Sequence, residues 1–148
     1  MKAPMIVVVT AMLASAPAAM AEPVTLTVKI APVVVLPDGQ ENATVPVTLT
    51  LANASNQAVT LQASNNCEIH IWKVTDSKGT VVTDHGICMM IYQPQSDTLA
   101  PGAHQTADAG ISLHAADYRA GETYTLDYRF WNISAEAKFA VKRAPKAN

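Results

Sequence analysis

The sequence has little charge and no long apolar run. Charged residues make up 15% of the 148 positions, and the formal net charge is −2. Such a balance leaves no basic surface for nucleic acid or anionic lipid, so we expect neither as a partner. A helix that crosses a bilayer needs about 20 consecutive apolar residues. The chain has no apolar run of that length, and we expect no membrane insertion.

Motifs of enzyme chemistry are also missing. The chain has no Gly-x-Ser-x-Gly turn, no His-Glu-x-x-His pair, no glycine-rich phosphate loop and no recognisable carboxylate pair. Acidic residues such as Asp97, Asp108 and Asp117 lie near predicted turns, where aspartate is favoured for capping and turn geometry. We therefore expect no catalytic residues, no cofactor and no enzymatic activity.

The amino-terminal segment has the order of a secretory signal peptide. A charged start at Met1-Lys2 precedes an apolar run over residues 5–14, and Ala19-Met20-Ala21 stands immediately before Glu22-Pro23. Small residues at the first and third positions before the cut are typical of signal-peptidase sites. We predict that residues 1–21 are cleaved, and that residues 22–148 form one domain in the bacterial periplasm or the medium.

Period-two alternation dominates the predicted domain. Apolar residues occupy every second position over 24–30, 45–51 and 124–130, which indicates half-buried strands. Proline cannot donate to a strand ladder, so Pro46 places the start of the second strand at a sheet edge. About seven to nine short strands separated by turns are typical of an all-β, immunoglobulin-like antiparallel β-sandwich. Tyr124 follows Gly121 near the start of a late strand, as in the tyrosine corner of such folds.

The two cysteines flank a predicted hairpin. Asp76-Ser77-Lys78-Gly79 reads as a tight turn between a strand over 67–74, apolar on both faces and hence central, and the segment that begins at Val81. If the two strands pair outward from this turn, Cys67 lies opposite Cys88 or one position away from it. We predict a Cys67–Cys88 disulfide, which persists in an oxidising compartment and contributes about 3 kcal/mol on the loop-entropy estimate.

The segment over 83–94 is apolar but lacks clean alternation. In one interpretation, a loop braced by the disulfide presents its large side chains to the specificity pocket of a protease. In the other, which the usual burial of large apolar residues favours, these side chains turn inward and close the bottom of the sandwich. The candidate binding residues are His85, Ile87, Met89, Met90 and Tyr92.

Copper(I) ligation is a further interpretation of the same region. Thiolate, imidazole and thioether groups suit copper(I), and the possible ligands are Cys67, His70, His85, Cys88, Met89 and Met90. A disulfide would consume both thiolates. On a strand, moreover, His70 would point to the face opposite Cys67. We therefore assign no metal ligand.

Four segments carry a family resemblance. Residues 47–61 give a strand, an Asn-x-Ser turn and a strand, and they are followed by Lys78-Gly79-Thr80-Val81, Leu99-Ala100-Pro101-Gly102 and Gly121-Glu122-Thr123-Tyr124. In this order the chain resembles the BsuPI-type proteinase inhibitors over residues 45–141. The resemblance implies an immunoglobulin-like sandwich that blocks subtilisin-like serine proteases without being an enzyme. The cysteine pair departs from the usual family pattern, and no family motif fixes inhibitory residues.

Three functions remain open from the sequence. The first is an exported binding module whose protein partner is a serine protease. The second is an immunoglobulin-like adaptor that recognises another envelope protein, for example by adding a strand to an exposed edge. The third is copper handling in the periplasm.

Overall fold

The computed structural model describes residues 23–145, and the predicted signal peptide lies outside them. Short 3₁₀ helices occupy Asn66–Glu68 and Ala115–Asp117, and all other regular structure in this part of the chain is β. The ten strands are β1 (Val24–Ile30), β2 (Val33–Leu36), β3 (Asn42–Asn53), β4 (Val59–Ala63), β5 (His70–Thr75), β6 (Val81–Asp84), β7 (Gln95–Leu99), β8 (His104–His114), β9 (Thr123–Phe130) and β10 (Ile133–Arg143).

The strands form a β-sandwich, as predicted. One sheet has the order β1-β3-β8, the other has the order β2-β10-β9-β5-β6, and β4 pairs with β7 in a separate two-stranded ladder. The chain changes sheet between β1 and β2, where the Pro32 carbonyl accepts a hydrogen bond from the Ala140 amide at 2.9 Å. Two details differ from the expectation. The described strands number ten, and β2 pairs with β10 in parallel while the other pairs are antiparallel.

Alternation predicted the core of both sheets correctly. The apolar positions of β1, of the segment over 45–51 and of β9 are all buried, whereas most of the residues between them are partly or fully exposed. The first five residues of β3 pair only with β8, because its pairing with β1 begins at Val47. Pro46 therefore lies at a local edge, as expected.

The connection from β8 to β9 contains the predicted tyrosine corner. The Tyr124 hydroxyl accepts a hydrogen bond from the Arg119 amide at 2.8 Å. The neighbouring Tyr118 donates its hydroxyl to Thr83 Oγ1 at 2.7 Å, which ties the connection to β6. The guanidinium of Arg143 donates to the carbonyls of Ala115 and Tyr118 from the end of β10. This end of the sandwich is thus closed by satisfied polar groups.

Burial of two tyrosines predicts a loss of stability at alkaline pH. Desolvation raises the pKa of Tyr118 and of Tyr128 from 10.0 to about 12 in the fold. Their neutral forms stabilise the folded state fully below pH 10, and this contribution is lost as the pH rises toward 12. We expect urea unfolding to show a drop of about 1 kcal/mol per tyrosine near pH 11 relative to pH 8. A Tyr118→Phe/Tyr128→Phe protein should lose less stability over this range, and an identical loss would contradict the assignment.

Candidate functional site

The segment between β6 and β7 projects its apolar side chains into solvent. Ile87 is 104%, Met89 is 87% and Tyr92 is 88% exposed, and Met90 and Ile91 are 46% and 58% exposed. The interpretation in which these residues close the bottom of the sandwich is therefore wrong. We call residues 86–92 the apolar loop. His85, the remaining candidate, is also exposed and immediately precedes this loop.

The predicted disulfide joins the apolar loop to the first 3₁₀ helix. Cys67 and Cys88 are bonded, with 5.8 Å between their Cα atoms. Their placement differs from the prediction, because the β5–β6 ladder ends where Lys73 pairs with Asp84. Both cysteines lie beyond that ladder, so the bond closes a loop instead of crossing two paired strands. The expectation of a strand over 67–74 is wrong at its start, since β5 begins at His70.

Side-chain capping explains why the chain turns before β5. The Asn65 carboxamide is buried, and its Oδ1 accepts hydrogen bonds from the Cys67 and Glu68 amides at 3.0 and 3.2 Å. The Glu68 carboxylate in turn accepts from the Ser64 amide at 2.8 Å and from Asn65 Nδ2 at 3.3 Å. An N-cap of this kind satisfies amides that a helix start leaves free. It fixes the direction of both Asn66 and Cys67.

Asn66 holds the apolar loop by its backbone. Its Nδ2 donates to the Met89 carbonyl at 3.1 Å, and its Oδ1 accepts from the Ile91 amide at 2.7 Å. One carboxamide thus engages the main chain on both sides of Met90. The sequence pattern alone did not reveal this role. The available signal was the position of two asparagines directly before a cysteine.

The two ends of the apolar loop are also anchored. The His85 amide donates to the Trp72 carbonyl at 2.9 Å, which continues the pairing of β5 and β6 by one more bond. Gly86 has a φ of +68°, a conformation that glycine adopts without strain, and its amide donates to Asp84 Oδ1 at 2.8 Å. At the other end, the Gln93 amide donates to the Ile91 carbonyl at 2.8 Å.

Three of the possible copper(I) ligands, Cys67, Cys88 and His70, have other partners in the structure. Both cysteine sulfurs are in the disulfide. His70 instead stacks on Phe130 at 4.8 Å between ring centroids, and its Nδ1 lies 3.0 Å from the Tyr128 hydroxyl. Partial burial in this position lowers the pKa of His70. Within residues 23–145, no three His, Cys, Asp or Glu side chains lie close enough together to hold a metal ion.

Comparison with known proteins gives no family for the chain. No protein-family model matches the sequence, and no curated protein matches it significantly. The resemblance to the BsuPI-type inhibitors therefore stays a prediction.

Solved structures share only a distant likeness. They include a candidate β-galactosidase from Bacteroides fragilis, at 18% identity and a TM-score of 0.45 over 80% of this chain. A β-glucosidase from Listeria innocua has 12% identity and a TM-score of 0.42 over 82% of this chain. A β-glucuronidase from Bacteroides uniformis has 10% identity and a TM-score of 0.42 over 80% of this chain. The chain spans 16%, 16% and 13% of these three proteins.

One observation bears on the compartment in which the protein is found. A disulfide is typical of proteins in an oxidising environment. No helix in the described residues, 23–145, is both long and apolar enough to span a bilayer.

Proposed function

We propose that the protein is an exported, non-enzymatic binding module that blocks a subtilisin-like serine protease with its apolar loop. The observation that carries the proposal is the combination of exposed apolar side chains with a restrained backbone. Five large apolar residues stand between Gly86 and Gln93, and all five are exposed. The disulfide and Asn66 hold the backbone from which they project.

Restraint of the loop favours tight binding. A flexible loop loses conformational entropy when it is ordered by a partner, whereas a loop fixed in advance avoids much of that cost. Large apolar side chains that enter pockets of a partner supply most of the binding energy in many interfaces. A projecting loop also suits a concave cleft such as a protease active site. The family resemblance favours a subtilisin-like protease, and the predicted signal peptide together with the disulfide favours the periplasm or the medium of a bacterium.

Inhibition of subtilisin by the purified protein tests the proposal. The wild-type protein should inhibit, and Met89→Asp should weaken inhibition at least about 30-fold, because a carboxylate would be transferred into an apolar cleft. Val35→Asp is a matched control. Val35 lies on β2, outside the apolar loop, and is 58% exposed. Its replacement should therefore leave inhibition unchanged. No inhibition by the wild-type protein, or equal weakening by both variants, would contradict the proposal.

An envelope adaptor is the second candidate, and one feature of the sheet favours it. Within the described residues, β6 pairs with β5 on one side only and is an edge strand of the larger sheet. Such an edge can accept a strand from another protein. An envelope protein captured equally by the wild-type and Met89→Asp proteins, without inhibition of subtilisin by either, would favour this function.

A further inference from the structure

We infer that the Met90–Ile91 peptide bond is the bond that the protease attacks, and that Asn66 slows the hydrolysis of this bond. The inference rests on the proposed function, and it names the bond and the kind of protease. It follows from the hydrogen bonds of the apolar loop and from the position of Cys88.

The first observation is that the Asn66 carboxamide holds the main chain on both sides of Met90, and we call this pair of hydrogen bonds the bracket. Asn66 binds the carbonyl of Met89 and the amide of Ile91, so the residue between them is fixed on both sides. Cys88 is tied to Cys67 two residues before Met90, and Cys67 directly follows Asn66. The same capped turn therefore holds both the disulfide and the bracket.

The second observation concerns the main chain of Met90 itself. Among residues 23–145, its own amide and carbonyl have no hydrogen-bond partner. A serine protease needs both groups of the residue it attacks. The backbone of the protease forms hydrogen bonds with the substrate backbone, as if the substrate were an added β-strand. Its oxyanion hole must also receive the carbonyl oxygen of the attacked residue. The bracket leaves these groups available while it occupies those of the neighbours.

The side chain of Met90 defines the kind of protease. Methionine is unbranched, apolar and adaptable in shape, and Met90 is 46% exposed in the free protein. It suits a deep apolar primary pocket. A pocket with a buried carboxylate, which selects Lys or Arg, would leave that charge unpaired against a thioether. The inferred partner is therefore a serine protease that prefers large apolar residues before the cleaved bond.

The bracket also explains how cleavage would be resisted. The protease serine oxygen attacks the Met90 carbonyl carbon, the bond from that carbon to the Ile91 nitrogen breaks, and the nitrogen takes up the proton that the serine released. The Ile91 nitrogen would stay beside the acyl group, because it is held at Asn66 Oδ1. From there it can attack the acyl carbon before water enters, which re-forms the peptide bond, breaks the bond from that carbon to the serine oxygen and returns the proton to the serine. Holding the leaving group in place gives it a high effective concentration.

Mapping the slow cut gives the first test. After long incubation with a small amount of subtilisin, we expect one new amino terminus, at Ile91, and two fragments whose masses sum to that of the intact protein plus one water molecule. Both cysteines precede this bond, so the two fragments should separate on a denaturing gel without reduction. A cut between Cys67 and Cys88 would leave the fragments linked until reduction. A first cut there, or outside the apolar loop, would overturn the inference.

Substitutions give the second test. Asn66→Ala should be cleaved at Met90–Ile91 at least about 10-fold faster than the wild-type protein and should inhibit more weakly, since the leaving group is released. Asn56→Ala, at an exposed asparagine in the turn between β3 and β4, is the matched control and should behave as wild type. Met90→Lys should lose at least about 100-fold in inhibition of subtilisin and gain inhibition of trypsin, because the primary pockets differ in charge.

The outcomes separate the inference from the proposed function. Inhibition of subtilisin that survives Met90→Lys unchanged would overturn the assignment of the reactive bond and leave the proposed function standing. Absence of inhibition by the wild-type protein would overturn both. Circular dichroism of each variant shows whether a loss of inhibition reflects unfolding.

Discussion

Asn53→Asp is expected to lower the free energy of unfolding by about 4 kcal/mol, because it places an unpaired charge in the interior. Asn53 is 1% exposed, at the end of β3. Its Nδ2 donates to the carbonyls of Gln57, Leu99 and Ala100 at 2.8, 3.0 and 3.1 Å. An aspartate would point a second oxygen at these three carbonyl oxygens. The charged form would be repelled, and the neutral form could donate only one hydrogen bond.

Urea unfolding at neutral pH measures this effect. Asn56→Asp, three residues along in the same turn but exposed, is the control and should change the free energy of unfolding by less than about 0.5 kcal/mol. Asn53→Ala should fall between the two, since it removes hydrogen bonds without adding a charge. If Asn53→Asp cost no more than its control, the carboxamide would not hold the turns around β4 and β7 together.

Loss of the disulfide is expected to have the second largest effect. Cys67 and Cys88 are 21 residues apart in sequence, and a closed loop of this length contributes about 3 kcal/mol on the loop-entropy estimate. A Cys67→Ser/Cys88→Ser protein should therefore unfold at a lower urea concentration. It should also inhibit subtilisin more weakly than the wild-type protein, because the apolar loop would lose its covalent link to the first 3₁₀ helix and keep only hydrogen bonds.

Reduction of the wild-type protein provides the control for this variant. Wild-type protein in dithiothreitol should match the double serine variant in stability, and the variant itself should not respond to dithiothreitol. Thiol titration of the oxidised wild-type protein should find no free thiol. A double variant that kept its full stability and inhibition would show that the disulfide does not brace the loop.

The sequence predicted those strands that bury large side chains on one face. Alternation was clear in β1, β9 and the segment over 45–51, because valine, leucine, isoleucine and aromatic residues there face a common core. It was weak in β8, where Ala107 and Ala109 occupy the partly buried positions and only Ile111 and Leu113 are large. Small residues carry little burial energy and therefore little signal. The strand is positioned by pairing along β3 instead.

The candidate site was predicted only in part, for a similar reason. The absence of alternation over 83–94 identified an irregular segment, and the two cysteines predicted its disulfide. The sequence did not show where the two cysteines lie relative to the β5–β6 ladder, because the buried Asn65 caps a turn where the apolar pattern suggested a strand. Side-chain hydrogen bonds such as those of Asn53 and Asn66 depend on segments distant in sequence, and residue type alone does not reveal them. General burial statistics favoured the wrong orientation of the apolar loop.

Titration of subtilisin with the oxidised, purified protein shows whether a braced apolar loop blocks a serine protease. We expect competitive inhibition of peptide hydrolysis at protein concentrations of about 1 μM or below, as for a loop ordered before binding. We also expect that Asn66→Ala weakens this inhibition while Asn56→Ala does not. Full protease activity at about 100 μM wild-type protein, corresponding to a binding free energy weaker than about −5.5 kcal/mol, would contradict the proposed function.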